Sequence, residues 1–330
     1  MRTLKSPIFI IPVSYFAFVL ALVILVGPKS SPPPWLASSG DGLMAEQGLE
    51  EEADLLTVGH LAEEGPLVEH HELVDLCVEH LQRVPGRFPK ADIEAVCAKV
   101  DWLKGCWSEE KVPIYHYERT SDHPEAKKIF ALALIHGDEH PAGAVARAWM
   151  RRLERINPRN SWRVVPVANP DGWYKSTRTN SRGVDLNRNF PTDDWEETAL
   201  EAWRQHGSNS RRYPGPYGAS ESETRCLMAH FESFKPDFIV SVHTPLGVLD
   251  FDGPPLNFPR VDRLPWISLG HFPGSLGRYM WRDHDVPVLT IELKGNEKGG
   301  LESLAQFDQL QDISGTVAIQ ADELVKRDEP

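Results

Sequence analysis

From about residue 112 onward, the chain is built of short apolar runs rich in valine and isoleucine, each bounded by proline, glycine or asparagine. A helical pattern, AGAVARAWMRRLERI, lies between the second and third runs. Apolar runs of this kind predict strands that are buried on both faces. Strands that alternate with helices predict a mixed, mostly parallel α/β sheet with helices on both faces. The five runs are VPIYHYER, KKIFALALIHG, WRVVPVANP, DFIVSVHTP and VPVLTIEL.

The composition limits the classes of protein that the chain can belong to. Of its 330 residues, 41% are hydrophobic and 25% are charged, so a sizeable buried core is possible. A wholly disordered chain and a polytopic membrane protein are therefore excluded. The 35 lysines and arginines stand against 48 acidic residues, giving a formal net charge of −13. Such a charge argues against nucleic acid as a partner, because little phosphate attraction is available.

The first 28 residues contain a long apolar stretch. No residue between Lys5 and Lys29 is charged. As a helix, about 22 residues span roughly 33 Å, which is enough to cross the core of a bilayer. We expect residues 1–28 to form a transmembrane signal anchor, with a cleavable signal peptide as the alternative. Arg2 precedes the stretch and an acidic segment follows it, so residues 29–330 are expected outside the cytoplasm.

Three further segments follow the predicted anchor. Residues 29–65 are rich in proline and acidic residues, which predicts a flexible linker. Helical spacing of apolar residues, continuing as far as Leu103, predicts a helical prelude over residues 66–110. The α/β pattern then occupies a domain over residues 111–330. Three of the four cysteines lie in the prelude: Cys77, Cys97 and Cys106. Two of these could pair outside the cytoplasm, and the sequence leaves open which two.

Two predicted strands end in residues that can bind a metal ion. His136 and Glu139 follow the second run, at a spacing that lets an imidazole and a carboxylate converge on one ion. His243 ends the fourth run, where a buried core histidine is the alternative interpretation. Imidazole nitrogen and carboxylate oxygen both suit Zn²⁺, which takes three protein ligands and a water in catalytic sites. The hypothesis is a site for one zinc ion.

Other polar residues offer the chemistry that would accompany such a metal. Arg178 precedes the segment GVDLNRNFP, which contains Asn187 and Arg188. These side chains supply donors suited to a substrate carboxylate or an oxyanion, although a lone arginine is commonly a solvated surface charge. Glu292 lies in an otherwise apolar run, where a carboxylate costs free energy unless it is paired or near a metal. Beside zinc, Glu292 could act as a general base.

Taken together, the segments HGDE, NPDG, GVDLNRNF, SVH and TIEL resemble the zinc carboxypeptidase (funnelin) family of metallopeptidases over about residues 112–300. The resemblance implies a carboxypeptidase-like α/β fold. It also implies one Zn²⁺ held by His136, Glu139 and His243. By the same resemblance, Glu292 is the base and Arg178 polarises the scissile carbonyl and stabilises the oxyanion. Asn187 and Arg188 would bind a carboxylate of the peptide substrate.

Within this family, the chain is more similar to the bacterial murein peptide amidases than to the digestive enzymes. The interval between NPDG and GVDLNRNF is short. Three further segments resemble the amidases in their residues and in their order along the chain: YPGPYGASESETR, VHTPLGVLD and FPGSLGRY. This implies cleavage of the γ-D-glutamyl–diaminopimelate bond in cell-wall peptides. Murein peptide amidases can be soluble, so the predicted anchor departs from the resemblance; it is the anchor that predicts a location at the periplasmic side of a bacterial inner membrane. Asp250 and Asp252 could bind the second ammonium group of that substrate, or could belong to a turn. Neither His271 nor Tyr279 can be assigned to the mobile-loop tyrosine of the digestive enzymes.

Two other functions remain open at this point. A related zinc acylase that acts on N-acyl amino acids also uses an HxxE pair, a distant histidine and an Asn-Arg pair. The residues of GVDLNRNF, SVH and TIEL, and their order along the chain, favour the peptidase over the acylase. A catalytically silent wall-binding homologue would have no chemical need for the ligands, the base and Arg178 together. Activity on a panel of peptides and N-acyl amino acids distinguishes the three.

Overall fold

The computed structural model describes residues 67–261, 264–295 and 304–328. The predicted signal anchor, 1–28, and the predicted linker, 29–65, both lie outside these residues. In the part of the chain that is described, no helix combines the length and the apolar character needed to cross a bilayer.

One sheet of seven strands organises the described residues. The strands are β1 (Val100–Trp107), β2 (Pro113–Arg119), β3 (Lys128–Ala133), β4 (Ser161–Val165), β5 (Phe238–His243), β6 (Leu246–Asp252) and β7 (Val288–Lys294). Their order across the sheet is β1-β2-β4-β3-β5-β7-β6. The four middle strands are parallel to one another, while β2 and β6 are antiparallel to their neighbours. The prediction of a mixed sheet with a parallel centre is therefore confirmed.

Helices cover both faces of this sheet, as predicted. The helices are α1 (His70–Arg83), α2 (Lys90–Cys97), α3 (His140–Arg155), α4 (Pro170–Lys175), α5 (Trp195–Gln205), α6 (Ser222–Phe234) and α7 (Leu304–Asp328). Alternation along β3 shows the two layers. Ile129 and Ala131 belong to the apolar core that includes α1, α2, α3 and α7. Phe130 and Leu132 point the other way, into the core that includes α6.

Two segments differ from the sequence-based expectation. The predicted helical pattern ends at Cys97, and Val100 begins β1, so the sheet starts within the segment 66–110. An irregularity in the register of β1 against β2 interrupts the two-residue alternation that would have revealed a strand. Asp250 and Asp252 lie in β6, at the other edge of the sheet, and not in a turn. Acidic residues in β6 break the apolar pattern by which a buried strand is detected.

All four cysteines form disulfide bonds. Cys77 pairs with Cys97 and joins α1 to α2. Cys106 pairs with Cys226, across a sequence separation of 120 residues, and joins β1 to α6. The first pair lies within the set that the sequence suggested. The second could not be foreseen, because it depends on how the helix α6 packs against the edge of the sheet.

Candidate active site

The side chains with catalytic chemistry gather at one edge of the sheet. Strands β3, β5 and β7 are adjacent and parallel, so their carboxyl ends meet at this edge. His136 follows β3, His243 is the last residue of β5, and Glu292 is the direct neighbour of His243 across the β5–β7 pair. Together they line a cavity of about 570 Å³. This cavity contains all seven residues predicted from the sequence: His136, Glu139, Arg178, Asn187, Arg188, His243 and Glu292.

Three buried side chains converge at the base of this cavity. His136 Nδ1 lies 2.8 Å from Glu139 Oε1 and 3.2 Å from His243 Nδ1. Glu139 Oε2 lies 3.0 Å from His243 Nδ1. Ligands about 2.1 Å from a tetrahedral zinc lie about 3.4 Å from one another. The ligand atoms of the three side chains therefore need to move apart only slightly to accept the ion. Two imidazoles and a carboxylate are also a donor set that fits zinc.

The other ring nitrogen of His136 and of His243 is within hydrogen-bond distance of an oxygen atom. His136 Nε2 lies 3.1 Å from Asp185 Oδ1, and His243 Nε2 lies 2.8 Å from Ser241 Oγ. Histidines that bind metals usually donate their other ring N–H to such an oxygen, which fixes the ring and its tautomer. Each Nε2–H is accordingly assigned as a donor, and each Nδ1 faces the position of the metal.

Asp185 connects this group to Arg178. Its fully buried carboxylate accepts hydrogen bonds from Arg178 Nε and lies 2.9 Å from Arg178 Nη2. Burial alone would raise the pKa of Asp185, but Arg178 and His136 hold that pKa well below its usual range. Asp185 therefore stays ionised. No role was predicted for Asp185 from the sequence, although its place between Val184 and Leu186 in GVDLNRNF could have indicated a buried carboxylate.

The residues predicted to bind a substrate carboxylate follow Asp185 in a short 3-10 turn, Leu186–Arg188. The amide oxygen of Asn187 accepts a hydrogen bond from the backbone N–H of Leu276 at 2.9 Å, which leaves its NH₂ group as the donor on the cavity side. The Arg188 guanidinium stacks over the Phe272 ring at 4.4 Å. Within the described part of the chain, Arg188 makes no salt bridge, so its charge is available to a ligand.

Glu292 is partly buried, and its Oε2 accepts a hydrogen bond from the backbone N–H of Leu246 at 3.3 Å. One hydrogen bond of this length leaves most of the carboxylate's acceptor capacity free. Glu292 faces the same cavity as the three converging side chains. This is the placement that a group accepting a proton from a water molecule there would require.

An acidic pair lies further along the same wall of the cavity. Asp250 and Asp252 are alternate residues of β6 and share one face of it. Burial raises the pKa of Asp250, and burial together with the charge of Asp250 raises the pKa of Asp252 to about 6. His271 Nδ1 lies 3.1 Å from Asp252 Oδ1. Gly277 packs so closely that a Cβ there would lie 1.8 Å from Asp252 Oδ2.

Basic residues that the sequence analysis missed also line the cavity. Arg211 and Arg212 lie on a second 3-10 turn, and Arg211 is bound to Asp138 at 2.6 Å. No tyrosine in the described part of the chain lines the cavity. Tyr279 instead stacks on Phe190, with ring centroids 5.5 Å apart. The basic turn gave no sequence signal, because RR in a polar loop is indistinguishable from a solvated surface.

Comparison with known proteins agrees with this geometry. The zinc carboxypeptidase family matches residues 103–249. Murein peptide amidase A of Vibrio campbellii is 31% identical over 174 residues, which are 49% of this chain and 67% of that protein. Murein peptide amidase A of Escherichia coli K12 is 34% identical over 177 residues, 49% of this chain and 69% of that protein. The chain belongs to the zinc carboxypeptidase family, and it is a zinc-dependent hydrolase.

The fold comparison extends beyond these relatives. The structure of bovine thrombin-activatable fibrinolysis inhibitor, in complex with tick carboxypeptidase inhibitor, superposes with a TM-score of 0.53. That alignment has 18% sequence identity and covers 79% of this chain and 98% of the bovine chain. The carboxypeptidase-like fold predicted from the sequence is thereby confirmed.

Proposed function

We propose that this enzyme hydrolyses the amide bond between γ-D-glutamate and diaminopimelate in cell-wall peptides. The observation that carries the proposal is the presence of both charge signs in one cavity, with Arg188 and Arg212 against Asp250 and Asp252. Once its amine is in the scissile bond, a terminal diaminopimelate still presents two carboxylates and one ammonium group. The two relatives compared above are murein peptide amidases, which supports the same substrate class.

Each charged group has a matching part of that substrate. Asn187 and Arg188 offer a fork of donors to the carboxylate next to the scissile bond. Asp250 and Asp252 offer acceptors to the distant ammonium group, and Arg212 offers a positive charge to the carboxylate beside that ammonium. A cavity of about 570 Å³ lies within the range of small-molecule sites, and is large enough for such a residue.

The mechanism follows from the positions of the chain's own residues. Zinc, held by His136, Glu139 and His243, would supply Lewis-acid polarisation of a carbonyl and lower the pKa of a coordinated water. Glu292 takes a proton from the attacking water and delivers it to the leaving amine. Arg178 stabilises the negative charge that develops on the carbonyl oxygen. Asp185 keeps Arg178 and His136 in position for these roles.

The decisive experiment identifies products by mass spectrometry. The full-length chain, purified in detergent with zinc, is incubated with L-Ala-γ-D-Glu-diaminopimelate, with α-linked peptides and with N-acyl amino acids. Release of free diaminopimelate, abolished by a chelator, is the expected result. In the matched control Glu292→Gln, turnover falls by about 10²–10⁴-fold while zinc content stays unchanged. Undiminished turnover in that variant would show that another group is the base.

The other outcomes are equally informative. Cleavage of α-linked peptides alone would retain the zinc peptidase and reject the murein substrate. Cleavage of N-acyl amino acids alone would establish an acylase. A zinc-loaded protein without product on any substrate would identify a silent wall-binding homologue.

A substrate series tests the acidic pair separately. The diaminopimelate is replaced by lysine, which keeps the ammonium group, or by norleucine, which has neither side-chain charge. Asp252→Asn should lower kcat/KM for the first two peptides by about 10–100-fold, the size of one lost charge-assisted hydrogen bond. Its kcat/KM for the norleucine peptide should stay unchanged, since no ammonium is present. Equal losses on all three peptides would reject the role of Asp252 in recognising the ammonium.

We also propose that residues 1–28 anchor the enzyme in a bacterial inner membrane, with the catalytic part in the periplasm. The uncharged apolar stretch supports the anchor, and two disulfide bonds suit an oxidising compartment. Membrane fractionation followed by protease treatment of spheroplasts tests this. Release of the catalytic part only after lysis would contradict the periplasmic orientation.

A further inference from the structure

A second group of metal-binding side chains lies away from the active site, where α6 packs against the edge of the sheet. Cys226 and His230 are four residues apart on α6 and therefore share one face of that helix. Cys106 lies opposite them on β1. The sulfur atoms of both cysteines and a ring nitrogen of His230 lie within 4.8 Å of one another, and all three side chains are fully buried. None of them lines the catalytic cavity.

His230 has unmet hydrogen-bonding capacity. Its side chain is 0% exposed, and neither of its ring nitrogens has a hydrogen-bond partner among the described residues. Its ring neighbours are Phe130 and His116, with centroids 5.7 Å and 4.9 Å away. An unmet buried polar group costs about 1–3 kcal/mol, so an imidazole here is unfavourable unless something binds its nitrogen.

His116 lies beside this group of three side chains. It projects from β2, the neighbour of β1, and its Nδ1 is also buried without a hydrogen-bond partner among the described residues. Two imidazoles on one tetrahedral zinc have ring centroids roughly 5 Å apart, given a metal–nitrogen distance of about 2.1 Å. The His116 and His230 centroids are 4.9 Å apart, close to that value, although His116 lies outside the group whose donor atoms are all within 4.8 Å of one another. Two cysteines and two histidines are a donor set that structural zinc sites use.

We propose that Cys106, Cys226 and His230, with His116 beside them, form a second zinc site when the Cys106–Cys226 disulfide is reduced. Two molecules of a thiol reductant supply the electrons: the protein disulfide becomes two thiols and the reductant becomes one disulfide. Binding of Zn²⁺ then displaces the two thiol protons into solvent. The disulfide and the metal complex are thus alternative states of one buried site.

Charge and local structure both favour this complex. Two thiolates cancel the charge of Zn²⁺, so the site is neutral and suits an apolar surrounding. The two sulfurs must separate to about 3.8 Å to bind one zinc. Cys106 lies where the register of β1 against β2 shifts, on an edge strand. Such an irregular edge can adjust without disturbing the parallel centre of the sheet.

The test uses the full-length chain and Co²⁺ as the probe. Oxidised protein should bind one Co²⁺ without a thiolate-to-cobalt charge-transfer band, because the active site has no sulfur ligand. After thiol reduction and anaerobic removal of the reductant, it should bind two, and the band should be present. Because reduction also opens the other bridge, Cys77→Ser/Cys97→Ser isolates the proposed pair and should keep the band. Cys106→Ser/Cys226→Ser should lose the band and bind one Co²⁺.

A histidine variant shows whether the imidazole is a ligand. His230→Phe should weaken binding of the second ion by more than about 100-fold, since losing a ligand exceeds the usual effect of its supporting residues. His80→Phe, which changes another fully buried histidine, should leave that affinity unchanged. Should the serine variants fail to fold, reduced wild type against reduced His230→Phe decides the question.

Three results would overturn the proposal. One is a single Co²⁺ per chain, without the band, in fully reduced wild type. Another is unchanged binding of the second ion in His230→Phe. The third is a disulfide that opens only when the native circular-dichroism spectrum is lost, since the site would then not exist in the folded protein.

Discussion

Replacing Asp185 by asparagine tests whether the active site depends on a side chain that does not bind the metal. The carboxylate accepts from Arg178, from His136 at 3.1 Å and from the backbone N–H of Asn187 at 3.1 Å. An amide keeps one oxygen acceptor, but it turns an NH₂ group toward either the Arg178 guanidinium or the His136 N–H. The NH₂ group of the new side chain then faces another hydrogen-bond donor, so that hydrogen bond is lost. His136 loses its orientation, and Arg178 loses its main counter-charge.

The magnitude follows from these contacts. Loss of an outer hydrogen-bond partner of a metal-binding histidine usually weakens metal affinity by 10–100-fold, and we expect zinc binding to fall by about that factor. Breaking a buried ion pair costs about 3–5 kcal/mol. The expected loss of stability is smaller, about 2–3 kcal/mol, because Arg178 keeps Glu139 at 3.5 Å and its side chain is 18% exposed.

Zinc affinity is measured by competition with a chromophoric chelator, and stability by denaturant unfolding of the zinc-free protein. Asp138→Asn is the matched control, because Asp138 precedes a predicted ligand and pairs with Arg211, which is 59% exposed. That variant should lose at most about 1 kcal/mol and bind zinc normally. If Asp185→Asn binds zinc within twofold of wild type and unfolds at the same denaturant concentration, the positioning role of Asp185 is refuted.

Three shorter predictions concern the ligand set and pH. His243→Ala should abolish stoichiometric zinc binding in the purified protein; full occupancy by elemental analysis would reject His243 as a ligand. Because the pKa of Asp252 is raised to about 6, with Asp250 and His271 facing it, Asp252 is charged above pH 6 and protonated below. The kcat/KM for the diaminopimelate peptide should therefore fall more steeply below pH 6 than that for the norleucine peptide, and parallel profiles would contradict this. Burial, and secondarily Arg83, lowers the pKa of His80 to about 3, so the unfolded chain binds the extra proton between pH 6.5 and 3. On acidification through this window, the free energy of unfolding should fall more steeply for wild type than for His80→Gln, by up to about 1.4 kcal/mol per pH unit. Urea unfolding at each pH measures this difference.

The parts of the fold that the sequence predicts are those in which both faces of a strand are buried. Such a strand must be apolar along its whole length, and this marks the parallel strands β3, β4, β5 and β7. The strands β1 and β6 escape the prediction because each lies at an edge of the sheet. An irregular register interrupts β1, and β6 carries Asp250 and Asp252 toward the cavity. The acidic residues that β6 contributes to the cavity thus break the apolar pattern by which β6 would have been recognised as a strand.

The predicted site residues are recoverable for a related reason. His136 follows the apolar strand β3 and His243 ends the apolar strand β5, and a polar residue in either place needs an explanation. Ser241 was also within reach of the sequence, because alternate residues of a strand share one face and Ser241 is two residues before His243. The contacts of Asp185 could not be predicted from the sequence, since they depend on the path of the loop that follows α4. The pairing of Cys106 with Cys226 depends on tertiary packing in the same way.

The position of His136 also depends on residues distant in sequence. The turn after His136 packs against α4 so tightly that a Cβ at Gly137 would lie 2.1 Å from the carbonyl carbon of Gly172. Helix α4 is held in turn by α1, because His80 Nε2 lies 3.0 Å from the hydroxyl of Tyr174 and the Arg83 guanidinium covers the Trp173 ring. The first described helix therefore supports the segment from which a predicted zinc ligand projects. Contacts of this kind place α1 in the framework of the active site, although it contributes no side chain to the cavity.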